Sequence, residues 1–282
     1  MEIAGLGEWP PVNEFSKTLI ARSGYESEGF AQSYDRYRPS PPPALIEIVL
    51  LLAGLDRAER VADLGAGTGL STRAWSSHAS EVVGVEPNPA MVDWARRATT
   101  APNVRYVEGF AAATGLAEES VDIVTCAQAF HWMEPSAVLP EVARILRRGG
   151  VFAAYDYDMP PIVHPEVDVS FASHFEARRI ARERLGIPAG ASRWPKEEHL
   201  GRLRESGHFW FTREFVCHSL VDTDADRIVG LAESIGPPPA LIGSAAPEVD
   251  ETFEALRQTA RTVLGERVHP MVVCYRVRLG VK

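Results

Sequence analysis

The chain has 282 residues, 29 Lys+Arg against 38 Asp+Glu and a formal charge of −9, with 45% hydrophobic and 24% charged residues. That balance fits a globular chain with a sizeable core, in one large domain or two modest ones. The acidic excess argues against a general nucleic-acid binder, which needs a basic face to replace phosphate counterions, and leaves small molecules as the expected partners.

Three distant cysteines, Cys126, Cys217 and Cys274, make neither a CxxC pair nor a disulfide framework. The start, MEIAGLGEWPPVNEF, has no basic n-region, and the longest apolar run, 44–55, is broken by Glu47 and Gly54. A cytoplasmic protein without a membrane partner is expected.

Residues 1–43 read as an amino-terminal arm or cap that ends in RPSPPP, a run that neither continues a helix nor pairs in a central strand. From 44 to 158, short β-like runs alternate with helical stretches, which implies a parallel sheet with crossover helices. Strands are expected at 60–64, 81–86, 104–108, 121–127 and 150–155. Helices are expected at 44–55, from about Thr68, at 89–98 behind the start signal Asn88-Pro89, and at 136–146 before Gly149-Gly150. Residues 159–208 read as a helical lid insertion, with Val167, Phe171 and Phe175 at four-residue spacing and a short helix at 196–206. The segment 209–282 offers a strand in HFWFTREFVCHSL, helices at 222–235 and 248–264, the run Pro237-Pro238-Pro239 between them, and a β-branched strand at 271–279.

The most informative segment is VADLGAGTGLST, 61–72: a short apolar strand, Asp63, glycines at 65, 67 and 69, then a helical stretch. Glycine is needed where a backbone turns at positive φ or where a ligand approaches closer than a Cβ permits. Dinucleotide sites favour G-x-G-x-x-G over a helix amino terminus, whereas the spacing here is G-x-G-x-G. Asp63, two residues before the first glycine, is placed to order the loop or to meet an ammonium. The second element is VVGVEPNPAMVDWARR, where a buried-type strand ends at Glu86, twenty-one residues after Gly65. A carboxylate at that strand tip is placed to accept hydrogen bonds from both ribose hydroxyls of an adenosine.

Taken together, DLGAGTG, GVEPNPAMVDWAR, VEGFAA and VDIVTCAQAFHWMEP…EVARILRRGGVFAAYD resemble the class I S-adenosylmethionine-dependent methyltransferases, over residues 34–155. The likeness is to the small-molecule branch with an AxHW sequence after the fourth strand, which includes trans-aconitate methyltransferase-like proteins with a type 11 methyltransferase domain. YDRYRPSPP is similar to that branch as well. The resemblance implies a doubly wound, Rossmann-like α/β fold with a seven-stranded sheet and a helical lid insertion. It divides the chain into an arm at 1–43, a cofactor domain at 44–158, the lid at 159–208 and a carboxyl-terminal part completing the sheet.

It also implies site residues. Gly65, Ala66 and Gly67, with Thr68 and Gly69 in the same loop, would contact the methionine part of S-adenosylmethionine. Asp63 would support the loop and the ammonium, Glu86 would hold the ribose, and Pro87 and Met91 would pack near the adenine. The family usually shows an Asp near 110 or 111; here Phe110 would stack on the adenine and the Ala111 backbone would supply the polar contact. Gln128 would lie beneath the sulfonium near the methionine carboxylate, and Tyr34 and Arg38 would close over the cofactor, whose product is S-adenosylhomocysteine.

Methyl transfer from a sulfonium is an in-line displacement with a neutral leaving group, so positioning supplies much of the catalysis and a base is optional. His131, just past the fourth strand, is the expected base for a hydroxyl acceptor, because carboxyl ends of parallel strands face the ligand crevice. Trp132, Tyr155, Tyr157, Phe171, Phe175, Trp194 and Trp210 are candidates for an apolar acceptor pocket. Asp156, Asp158 and His164 have no diagnostic metal spacing, and no metal is expected. The expected activity is methylation of a small organic molecule, with oxygen favoured. Two alternatives stand beside it: the same fold binding S-adenosylmethionine for another reaction or for regulation, and a nicotinamide-dependent oxidoreductase, against which the glycine spacing stands. A monomer or homodimer is expected, with Trp9, Phe15 and Tyr25 on an arm that covers the site or a neighbouring subunit.

Overall fold

Period-two apolar patterning builds the sheet. In Ile123-Val124-Thr125-Cys126, Ile123 joins the core on one face, and Val124 and Cys126 join the core on the other. A computed structural model describes residues 29–187, 194–235 and 246–282. Trp9, Phe15, Tyr25 and Pro237-Pro238-Pro239 lie outside the described residues.

Helices α1 (Phe30–Tyr37) and α2 (Pro43–Leu52) precede β1 (Ala58–Leu64), α3 (Leu70–Ala74), β2 (Ala79–Glu86), α4 (Pro89–Ala98), β3 (Val104–Glu108) and β4 (Val121–Ala127). A 3-10 turn (Phe130–Trp132), α5 (Pro135–Ile145) and β5 (Leu146–Tyr157) follow. The remaining elements are α6 (Pro165–Arg184), a 3-10 turn (Lys196–Glu198), α7 (His199–Glu205), β6 (Phe211–Thr223), α8 (Ala225–Ser234), α9 (Pro247–Leu264) and β7 (His269–Val281).

The sheet has seven strands in the order β3-β2-β1-β4-β5-β7-β6. The strands β1 to β5 pair in parallel, while β7 runs antiparallel between β5 and β6. The fold is therefore α/β and doubly wound. One face is covered by α2, α6, α8 and α9 through Leu45, Phe171, Ile228 and Leu256. The other is covered by α5 and α7 through Val138, Val142 and Leu203, with Val92 and Ala95 of α4 packing on Tyr106. Among the described residues, no helix is long and apolar enough to cross a membrane.

The start signal at Asn88 works as expected: its side chain accepts from the Ala90 N–H, and Pro89 opens α4. The glycine pair at 149–150, expected to stop a helix, instead sits inside β5. Helix α5 ends at Ile145, and β5 begins at once because Leu146 pairs with Val121. A register irregularity between Val121 and Ile123, with Gly149 at φ 74°, absorbs the extra residues. Helices are inserted between β5 and β6 as expected, and α6 packs along α9.

Order and direction together fix the site. The chain leaves β1 toward β2 on one side and later returns to β4 on the other, so the carboxyl ends of β1 and β4 diverge and open a crevice.

Candidate functional site

Four segments meet at that crevice: the glycine loop after β1, the tip of β2, the turn after β4 and the end of β5. They line a cavity of 590 Å³ whose wall is mainly apolar, a size that suits a small organic ligand.

The loop is fastened before it turns. The N–H groups of Gly65 and Ala66 donate to the Val85 carbonyl at 2.8 and 3.2 Å, which ties the loop to the end of β2. Gly67 then points its N–H at Glu86 Oε2 (2.9 Å), while the Asn88 N–H donates to Oε1 at 3.0 Å. Glu86 is thus held by two backbone donors at the cavity wall, only 9% exposed. Burial pushes its carboxyl up to about 7 against the pull of those two donors.

The opposite side of the loop carries Asp63. Its Oδ1 accepts from Thr125 Oγ1 (2.7 Å) and Ser71 Oγ (3.2 Å), and its Oδ2 accepts from Thr72 Oγ1 (2.7 Å). The Tyr155 hydroxyl lies 2.6 Å from Ser71 Oγ and completes the chain of hydroxyls. Burial raises the Asp63 carboxyl to about 6, although all three hydroxyls favour the ionised form.

Most of the residues expected to bind a ligand do converge. Gly65, Ala66, Gly67, Thr68, Glu86, Pro87, Met91, Phe110, Ala111 and Gln128 all line the cavity, as do Tyr34, Arg38, Trp132, Tyr155 and Tyr157. Arg38 donates to Ser234 Oγ (2.9 Å), the Ser234 carbonyl (3.0 Å) and the Tyr157 hydroxyl, and its guanidinium lies 4.7 Å from the Tyr34 ring centre. It therefore locks α1 to α8 and β5 over the cavity.

Comparison with known proteins agrees with this geometry. A family model described as a methyltransferase domain matches residues 62–154, the span from β1 to β5. Residues 62–154 are a methyltransferase domain. An uncharacterized methyltransferase of Mycobacterium tuberculosis is 45% identical over 118 residues, covering 42% of this chain and 46% of that protein. A Saccharomyces cerevisiae protein named a probable S-adenosylmethionine-dependent methyltransferase is 32% identical over 150 residues, 51% of each chain. The chain thus spans about half the length of the curated relatives it matches. A solved structure from Anaeromyxobacter dehalogenans, provisionally assigned to the type II methyltransferases, superposes with a TM-score of 0.60 at 24% identity. It covers 87% of this chain and 98% of that one, and shows the shared fold.

Several expected site residues of the methyltransferase domain and its surroundings stand off the cavity wall. Asp63 is 1% exposed, accepts from three hydroxyls and does not line the cavity, so it braces the loop. Gly69 caps α3 at φ 85°, with the Tyr106 hydroxyl filling the space a Cβ would take. His131 does not line the cavity; it is 7% exposed, with Nδ1 at 3.6 Å from Asp156 Oδ1. The residue expected as a base in contact with the acceptor is thus not among those that line the cavity. Phe171 and Phe175 stack on each other at 5.0 Å in the helical core. Trp210 is 77% exposed, and the Trp194 ring packs under Arg202. The described residues of 159–208 contribute nothing to the cavity lining, whose upper wall comes from α1 and Pro39 and Pro41.

The acidic residues at the end of β5 and just past it have structural partners. Asp156 meets Lys196 Nζ at 2.7 Å and Arg278 at 3.5 Å; burial opposes its ionisation, but His131 and Lys196 hold it down to about 2. Asp158 pairs with Arg276, and His164 caps α6.

Sequence reasoning missed Tyr275, Pro39, Pro41 and Asn88 on the wall. Tyr275 arrives because β7 pairs with β5, opposite Tyr157, and its hydroxyl donates to the Ser40 carbonyl (2.7 Å), which fixes the proline segment. Nothing local in HPMVVCYRVRLGVK announces that neighbour.

The Asp63 cluster gives a stability test. Asp63→Ala leaves three buried hydroxyls without their acceptor and is expected to cost about 3–5 kcal/mol in urea unfolding. The folded-state carboxyl is raised, so its ionisation erodes stability as pH rises from 3.8 through about 6. Asp63→Asn removes that charge and keeps one acceptor, so at pH 7.5 it is expected to retain clearly more stability than Asp63→Ala.

Proposed function

We propose that this protein is an S-adenosylmethionine-dependent methyltransferase acting on a small organic acceptor, with oxygen the favoured acceptor atom. The observation that carries the reading is the Glu86 carboxylate, held at the cavity wall by the Gly67 and Asn88 N–H groups, on the far side of the loop from the buried Asp63.

The donor set suits this cofactor. Glu86 offers two oxygens to a ribose diol, Met91 and Phe110 give an apolar face for adenine, and a Cβ at Gly67 would meet no atom within 4 Å, leaving open backbone for a ligand. Thr68 Oγ1, Asn88 Nδ2 and Gln128 Nε2 are buried, belong to cavity-lining residues and have no hydrogen-bond partner among the described residues. Buried polar atoms of this kind call for a ligand that pairs with them.

When bound, S-adenosylmethionine supplies a sulfonium methyl group for in-line displacement by a nucleophile. The chain's part is to align the acceptor and exclude water. Tyr34, Arg38, Tyr157 and Tyr275 wall the region beside the loop, and the Arg38 guanidinium favours an acceptor oxygen that arrives with negative charge. Such an acceptor needs no base, consistent with His131 lying off the wall.

Calorimetric titration with S-adenosylhomocysteine, NAD and NADP tests the proposal. Micromolar binding of the first alone supports it; binding of a dinucleotide, or of none of the three by folded protein, overturns it. His131→Ala is expected to lower the melting temperature by several degrees through loss of the Asp156 contact. Its affinity for S-adenosylhomocysteine should stay within about threefold of the parent, and a larger loss would return His131 to the site.

A further inference from the structure

We infer that Lys196 orients the Gln128 carboxamide and so sets the preference of the cavity for ligands that carry a carboxylate. The inference rests on the cavity's being the S-adenosylmethionine site.

Gln128 follows β4 with a φ of 52°, a conformation that non-glycine residues seldom adopt. Its N–H donates to the Tyr155 carbonyl at 2.8 Å, so the sheet fixes where the side chain starts. The carboxamide beyond it has an acceptor end and a donor end of nearly the same shape, and packing alone does not choose between them. Lys196 does choose. An ammonium has only protons to offer, and Lys196 Nζ lies 3.1 Å from Gln128 Oε1. The oxygen is thereby turned to Lys196, and the carboxamide presents its two N–H groups to a ligand.

The remaining contacts hold that arrangement in place. Lys196 Nζ is also 2.7 Å from Asp156 Oδ1, and Asp156 is paired with Arg278, which Glu214 Oε2 accepts from at 2.7 Å. The cation is therefore held on the sheet, its side chain 35% exposed, instead of extending into solvent. Gln128 Nε2 is left buried and without a partner among the described residues. An unmade hydrogen bond of this kind is recovered when a carboxylate arrives, and the adjacent positive charge adds to the attraction. Lys196 does not line the cavity, so it acts through Gln128 as a positioning residue. It belongs to the insertion between β5 and β6, and this contact ties the described part of that insertion to a residue of the cavity wall.

The test compares two ligands with the same adenosine and thioether. S-adenosylhomocysteine carries the amino-acid end; 5′-methylthioadenosine lacks it. In calorimetric titrations, Lys196→Met is expected to weaken S-adenosylhomocysteine by about tenfold and 5′-methylthioadenosine by less than about twofold. Lys196→Arg, which keeps a donor-only cation, is expected to stay within about threefold of the parent for both. Binding of 5′-methylthioadenosine is the built-in check that each variant is folded. Equal losses for the two ligands, or unchanged S-adenosylhomocysteine affinity in Lys196→Met, would overturn the inference while leaving the methyltransferase reading intact. Failure of the parent protein to bind either ligand would overturn both.

Discussion

Glu86→Ala is expected to weaken S-adenosylhomocysteine binding by about a hundredfold, the largest affinity loss of any single substitution at the site. Two charge-assisted hydrogen bonds to a ribose diol are each worth about 1.5–3 kcal/mol, and the variant also strips the acceptor from the Gly67 and Asn88 N–H groups. The pH dependence gives an independent check. Burial raises the Glu86 carboxyl from 4.5 to about 7, so the free protein carries a substantial protonated fraction near neutrality. Hydroxyl donors favour the ionised form, and binding below pH 7 therefore expels a proton. Affinity is expected to fall by about tenfold between pH 8 and pH 6, and Glu86→Gln, which does not titrate, should lose that slope. A parent affinity flat across this range, or an alanine variant that binds within about threefold of the parent, would remove Glu86 from ligand binding. Stability moves the other way. A raised folded-state pKa favours folding fully below 4.5, and that contribution is lost as pH rises through about 7.

How much of this site was legible beforehand depends on how local each signal is. The strand, glycine loop and Glu86 lie within 26 residues, from Val61 to Glu86, and each is encoded by its own neighbours: β-branched residues for the strands, glycines for positive φ, and Asn88-Pro89 for the next helix. Those features were readable, and the structure brings them to one cavity. Non-local pairings were not readable. Tyr275 reaches the wall because β7 inserts antiparallel between β5 and β6, a choice made by the whole sheet. The same limit explains His131. Its position after β4 is right for a crevice residue, but whether its ring faces ligand or core depends on Asp156, twenty-five residues later, and on the Lys196 and Arg278 partners of Asp156. Phe175 differs for the opposite reason: an aromatic at helical spacing is built for packing along its own helix face, and Phe171, one turn earlier on α6, is the ring it stacks on.

The three glycines of the loop look equivalent in sequence and are expected to behave differently when a methyl group is added. All have positive φ, at 69°, 56° and 85°, so each alanine variant carries about 1–2 kcal/mol of backbone strain. At Gly69 the new Cβ would lie 2.2 Å from the Tyr106 hydroxyl. Tyr106 is 6% exposed, packs on Val92 and Ala95, and its hydroxyl meets Thr99 Oγ1 at 2.9 Å, so the ring has little room to retreat. Overpacking adds about 1–3 kcal/mol, and Gly69→Ala is expected to lose about 3–4 kcal/mol in urea unfolding. At Gly67 the Cβ would meet nothing within 4 Å, and it would occupy space at the ligand wall. Gly67→Ala is therefore expected to keep most of its stability, losing about 1–2 kcal/mol, but to bind S-adenosylhomocysteine at least about tenfold more weakly. Gly65 combines the two, since its Cβ would fall 2.6 Å from Ala129 Cβ at the cavity wall. Parallel unfolding and titration of the Gly67 and Gly69 variants separate a loop shaped for its fold from one shaped for its ligand. If Gly67→Ala binds as tightly as the parent, the open backbone at that position is not where the ligand lies, and the cofactor placement must shift away from the loop.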